Sequence, residues 1–300
     1  MQSMDDVDSI TAQPFDTIPE VVVPPQARRN PVAYLLHAAI AAGPIFRRRT
    51  PPRQVNRYGS WQVYLVGPAA NRFVLHTHRH LFAHRQGWQA FFGGVWNENL
   101  LYLDGAEHAA HRRVMAPAFT PAHLGAHLAV MQRVIRRSTA DWGERDAIEI
   151  RTALRDLAFD VVAEALLGFA PVERVRALHA ARNALCRNPY PYGKAAYWRH
   201  IAAQRAQLNA MLLTAIAARE QRDPPDLLAR LAAARDGPAG VLDDEHFLGH
   251  VQVLLEAGHT TTMDTATWVL GLLATHPAEQ ERVRAEVAAV LAAYGGVLTL

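Results

Sequence analysis

The chain has 300 residues, half of them apolar and 20% charged, which marks a globular protein and excludes a disordered one. Its 31 basic and 28 acidic residues leave a net charge of +3, too diffuse for a nucleic-acid footprint even though Arg47, Arg48 and Arg49 cluster. One cysteine, Cys186, excludes an intramolecular disulfide framework and a cysteine metal cluster.

Residues 1–30 are acidic and proline-punctuated, and read as an irregular lead-in without an apolar core of signal-peptide length. No window of 18 residues is apolar and uncharged, so no membrane span is expected, and a cytoplasmic protein is the default. "PVAYLLHAAIAA", from Pro31, predicts a helix with proline in its first turn, ended by Gly43-Pro44. "IFRRR" and "WQVYLV" (61–66) predict two strands, with Gly59-Ser60 marking a turn just before the second.

From Gly67 onward alanine, leucine and arginine dominate, and the pattern is helical throughout. Breaks are expected at Pro117, Pro121, Gly168–Pro171, Pro189–Gly193 and Pro224-Pro225. The segment "GWQAFFGGVWNENL" (87–100) reads as a mobile apolar lid, with Phe91 and Phe92 as candidate ligand contacts. The expectation is a mainly α fold with a small β hairpin near the N-terminus.

A long helix is expected from about 243 to 275, roughly 50 Å at about 1.5 Å per residue. Asp243 can cap it, Leu242 can pack on Phe247, and Pro277 disfavours helix at His276. Its middle, "LLEAGHTTTMDTATWVLGLL", is locally weak: Gly258 and three threonines give up on the order of 2–3 kcal/mol of helix preference. Small residues and hydroxyls there suit the close approach of something large and flat, and each threonine can bond the carbonyl four residues back.

"AGHTTT" (257–262) resembles the central-helix motif of the cytochrome P-450 family, the haem-thiolate monooxygenases. "LYLDGAEHAAHRRVMAPAFTP" (101–121) is similar to the family's helix along one haem edge, with its His/aromatic-x-x-x-Arg signature on His108 and Arg112. The resemblance runs from about residue 30 to 300, so 31–300 is read as a partial domain of that fold. It implies haem b as cofactor, O2 and a small organic substrate as reactants, and a separate redox protein as electron donor. His108 and Arg112, one turn apart, would hold a haem propionate, Arg112 through a charge-assisted bond of about 1.5–3 kcal/mol. Histidine 111 and Arg113 beside them read as solvated. Ala257 and Gly258 would let the porphyrin and oxygen lie against the helix, and Thr261 would hold or deliver protons toward oxygen there. Thr260 stands where the family places an acid, and Glu256, four residues earlier, is a candidate substitute.

The resemblance places the family's Glu-x-x-Arg helix and cysteine loop after Leu300, so no axial metal ligand is assigned, and the chain reads as cut short before that region. Cys186, in "NALCRNPYPYG", lacks the loop's glycine and arginine pattern and reads as a small buried or loop residue. Two alternatives stand beside the monooxygenase: a catalytically inactive helical fragment without stable haem, and a non-haem metal oxidoreductase. The second rests on His76, His78 and His80, on His246 and His250 one turn apart, and on Glu256 to His259 as a Glu-x-x-His unit.

Overall fold

A computed structural model describes residues 14–22, 30–50, 59–169, 172–190, 193–218, 226–237 and 241–295. The chain divides into two compact units, Met1–Phe91 and Phe92–Leu300.

The first unit begins its regular structure at α1, Pro31–Ala42. Asn30 caps it by accepting the Ala33 amide at 3.0 Å, and Gly43, at φ +91°, ends it in a conformation that a side chain would resist. Strands β1 (Ile45–Arg49) and β2 (Trp61–Leu65) pair antiparallel, with Phe46 opposite Tyr64. Those two rings stack at 5.1 Å, and Phe46 is fully buried. The arginines of β1 are committed to the hairpin. Arg47 donates to the Phe15 carbonyl at 2.7 Å and lies over the Phe15 and Trp61 rings, while Arg48 donates to Gln62 Oε1 at 2.8 Å. Helix α2 (Pro68–Arg72) continues as a π-helical turn over Phe73–Thr77, and α3 (Arg85–Phe92) closes the unit.

The second unit is helical. Its elements are α4 (Gly105–Met115), α5 (Pro121–Thr139), α6 (Ile150–Val161), α7 (Val172–Cys186), α8 (Ala195–Ala217), α9 (Leu227–Asp236), α10 (Asp244–Thr275) and α11 (Pro277–Ala293). Helix α6 runs on into a π-helical turn, Val162–Leu166, and Gly168 at φ +68° ends that run. The breaks foreseen from proline and glycine at 117–121 and 168 fall between elements. Leu178, Leu212, Leu227, Leu231, Phe247 and Val251 are fully buried in the core. Among the described residues no helix is long and apolar enough to cross a membrane.

Helix α10 organises this unit and packs chiefly on α6. Asp243 caps it through the His246 amide at 2.8 Å, and His276 leaves helical geometry immediately before Pro277. Every residue from Phe247 to Val253 is buried. Gly249 is required in that stretch, because a Cβ there would meet the Glu98 carbonyl oxygen at 1.9 Å. Farther along, the helix remains continuous through Gly258 and the threonines, so their weak preference is overridden by packing.

The lid expectation for 87–100 needs correcting. Its first half belongs to helix α3, and its second half is pinned against α10. The Asn97 amide donates to Gln252 Oε1 at 3.0 Å, and Gln252 Nε2 donates to Asn97 Oδ1 at 3.1 Å. Trp96, Asn97 and Asn99 are buried. A backbone that satisfies its polar groups in the core cannot swing as a free loop.

Candidate functional site

The central stretch of α10 turns its side chains in different directions. Thr261 Oγ1 donates to the Ala257 carbonyl at 2.6 Å, the bond four residues back that the sequence suggests. Ala257 and Thr261 are both exposed, one turn apart, on a helix whose preceding turns are buried. Together with Thr265 they form a stripe of small residues at helical spacing.

Gly258 faces elsewhere. A Cβ at Gly258 would meet Val162 Cγ2 at 2.6 Å, so its missing side chain allows α10 and the end of α6 to touch. On its face, Thr262, Met263 and Ala266 join Leu154, Leu157 and Ala158 around an apolar cavity of about 500 Å³.

Thr260 looks toward α7. Its hydroxyl donates to Glu256 Oε1 at 2.8 Å and accepts from Arg182 Nη2 at 3.1 Å. Arg182 also donates from Nε to Glu256 Oε2 at 2.6 Å, with a second, shorter contact from Nη2. Thr260 and Thr261 are therefore neighbours in sequence but about 100° apart around the helix. Glu256 does lie beside Thr260, and it is held there by an arginine that sequence reasoning missed. Arg182 stands 74 positions away, and nothing local to either residue announces the pair.

Glu256 and His259, the Glu-x-x-His unit of the sequence, turn to different neighbours. His259 is buried, edge-on to Phe159 at 5.5 Å and to His179 at 5.1 Å. Burial, with Arg182 adding to it, pushes the His259 imidazole down to about 4. Burial, with His259 adding to it, pushes His179 down to about 4 as well. Both rings are neutral near pH 7.

On α4, His108 and Arg112 lie one turn apart as expected, His108 half-buried and Arg112 exposed. Arg112 makes no ion pair among the described residues, so its guanidinium is available to an anion. His111 is not the solvated neighbour that its sequence context suggests. It is 5% exposed, and its Nδ1 lies 2.9 Å from Nε2 of His250, itself fully buried on α10. Desolvation lowers His111, with the His246 ring adding to it, and takes His250 down to about 3, with His111 and His246 adding to it. The His246/His250 pair is thus part of a helix contact and not surface. Cys186 is the last residue of α7, and its side chain lies outside the described residues.

A sequence model of the family described as "Cytochrome P450" matches residues 43–296. The chain is 30% identical over 236 residues to a putative cytochrome P450 136 of Mycobacterium tuberculosis, covering 75% of this chain and 47% of that protein. It is also 30% identical over 244 residues to abscisic acid 8'-hydroxylase 3 of Oryza sativa, covering 78% of this chain and 48% of that protein. The chain spans about half the length of these curated relatives. Among solved structures, the retinoic-acid-bound cyanobacterial CYP120A1 superposes with a TM-score of 0.66 at 23% identity, over 90% of this chain and 62% of the other. The haem domain of cytochrome P450DA gives 0.69 at 20% identity, over 91% and 64%. These structural likenesses establish the mainly helical fold, and the family match over most of the chain, together with the motifs on α4 and α10, shows that the chain belongs to the cytochrome P450 family.

Proposed function

We propose that residues 31–300 form the oxygen-side and propionate-side part of a haem-dependent monooxygenase acting on a small organic substrate, with electrons from a separate redox protein. The observation that carries this reading is that the helical unit presents both an exposed Arg112 on α4 and an open Ala257–Thr261 stripe on α10. The residues present fit haem b along one edge and one face. Arg112 and His108 would hold a propionate, and the small side chains of Ala257 and Thr261 leave room for a flat ring beside the helix. In this family haem supplies the activation of O2 for insertion into a C–H bond.

The chain's own residues then have separable tasks. Thr261 keeps its hydroxyl proton on the Ala257 carbonyl and presents its oxygen lone pairs to the open face, so it can accept one proton while passing on another. Glu256 and Thr260, bonded to each other, supply a carboxylate–hydroxyl pair on the adjoining face. That pair supports the reading of Glu256 as substitute for the acid that Thr260 displaces. Arg182 fixes the carboxylate's position and must let it go before it can shuttle a proton.

A second reading, an inactive helical fragment without stable haem, is favoured by one fact. The one cysteine among the 300 residues, Cys186, stands on α7, before α10 in sequence, and outside any match to the family's cysteine loop. The test is to add haem to the 300-residue protein, reduce it, and expose it to carbon monoxide. The expected result is weak haem binding and no thiolate-type Soret band, which appears when a segment bearing Glu-x-x-Arg and the cysteine loop is supplied. A thiolate band from the 300 residues that is lost in Cys186→Ser would overturn the assignment of Cys186. Failure of haem to bind even with the added segment would sink the monooxygenase proposal.

A further inference from the structure

We propose that Glu107, His111 and His246 form a binding site for one zinc ion that ties α4 to the first turn of α10. Among the described residues this is the one group of three metal-ligating side chains whose donor atoms all lie within 4.8 Å of one another. It stands apart from the cofactor-facing residues. Glu107 and His111 are one turn apart on α4, rotated about 100° from the His108/Arg112 pair.

The two imidazoles are already oriented by partners on their Nδ1 side. His246 turns Nδ1 to Asp243 Oδ1 at 2.8 Å, and His111 turns Nδ1 to His250 Nε2 at 2.9 Å. With both Nδ1 atoms engaged, Nε2 is the nitrogen that each ring offers to a metal. A ligating histidine whose other nitrogen is held by a carboxylate or a further acceptor is the usual support of a metal site. His250 is fully buried, and its Nδ1 has no hydrogen-bond partner, so the His111–His250 contact is retained without completing a polar network. As packing alone it leaves a buried polar atom unsatisfied. As the support of a ligand it fixes the tautomer of His111.

Two imidazoles and one carboxylate, with water completing a tetrahedron, are a ligand set that zinc takes readily. Ligands about 2.0–2.1 Å from zinc stand roughly 3.3 Å from one another. The three donors must therefore draw in by up to about 1.5 Å from their present spread. Glu107 can supply that movement because it is exposed and has three rotatable bonds. The same exposure gives the ion its entry path. The ring centroids of His111 and His246 lie 4.8 Å apart with their planes near perpendicular, so the two imidazoles are already neighbours.

Zinc is to be titrated into the untagged, chelator-stripped 300-residue protein without haem, in competition with a chromogenic chelator. One ion per chain with a low-micromolar dissociation constant is expected, and at about 100 times that concentration Tm should rise by about 4 °C. Cobalt in its place should give the intense visible bands of a four-coordinate site. Glu107→Gln, at an exposed position, and His246→Ala should each weaken binding at least about tenfold. Asp243→Asn, which keeps a cap acceptor but removes the charge behind His246, should weaken it about tenfold as well. Changing His78 and His80 to alanine should leave it unaltered. Binding no tighter than millimolar, or equal binding by Glu107→Gln and the parent, overturns the site. So does loss of binding in the His78/His80 variant.

Discussion

Arg182 on α7 grips Glu256 on α10 through Nε at 2.6 Å and a second contact from Nη2, and the same guanidinium reaches Thr260. Both partners are mostly buried, with side-chain exposures of 14% and 20%, so the pair is a fixed tie between two helices and not a surface ion pair. Removing Arg182 leaves a mostly buried carboxylate without its cation, with only the Thr260 hydroxyl still donating to it among the described residues. Arg182→Ala should lower stability by about 3 kcal/mol. Glu256→Gln should cost less, and the double variant should show a coupling of about 1–3 kcal/mol in denaturant unfolding. Strictly additive effects would show that the two side chains do not act together.

If Thr261 handles protons at the oxygen side, its hydroxyl is needed for coupling and not for folding. In an enzyme completed with the cysteine-bearing segment, Thr261→Ala should leave Tm within about 1 °C of the parent. Electron consumption should then yield less product and more peroxide. Equal product per electron in mutant and parent would remove Thr261 from that task. Glu256→Gln in the same background would show whether the neighbouring carboxylate–hydroxyl pair contributes.

His179 and His259 are held neutral by burial, each pushed down to about 4 from an ordinary value near 6.5. The unfolded chain then binds more protons than the folded one between those values. Stability is fully present above about pH 6.5 and is lost as pH falls toward 4. Tm should therefore drop from pH 7 to pH 5, and His259→Leu, which cannot charge, should shrink that drop. An unchanged pH dependence in the variant would contradict the buried neutral pair.

Three glycines of α10 should respond oppositely to alanine. Gly249→Ala forces a methyl against the Glu98 carbonyl and should cost about 3 kcal/mol or more. Gly258→Ala presses on the Val162 side chain, which has some room to give, and should cost about 1–2 kcal/mol. Gly271 has nothing within 4 Å of its would-be Cβ, so Gly271→Ala should stabilise by about 0.5–1 kcal/mol. Denaturant midpoints for the three variants decide the order, and a neutral Gly249→Ala would mean that α10 and the Glu98 backbone are not so closely packed.

Local rules carried the reading of the elements. Proline in the first turn and glycine at the end bounded α1, and the Asp243 cap with Pro277 bounded α10, because capping and chain breaking act within a few residues. The hairpin likewise follows from a β-rich run after a glycine turn. Spacing put His108 with Arg112 and Ala257 with Thr261 on common helix faces, since i and i+4 share a face in any α-helix. What lies across from a face is a long-range fact, and the sequence holds no local trace of it. That Thr260 turns to Arg182, that Gly258 serves Val162, and that segment 93–99 is pinned by Gln252 are decided by how α6, α7 and α10 pack. The same holds for the histidines. Polarity alone suggested that His111 was solvated, and only the meeting of α4 with α10 buries it against His250. There desolvation, and not residue type, sets their charge.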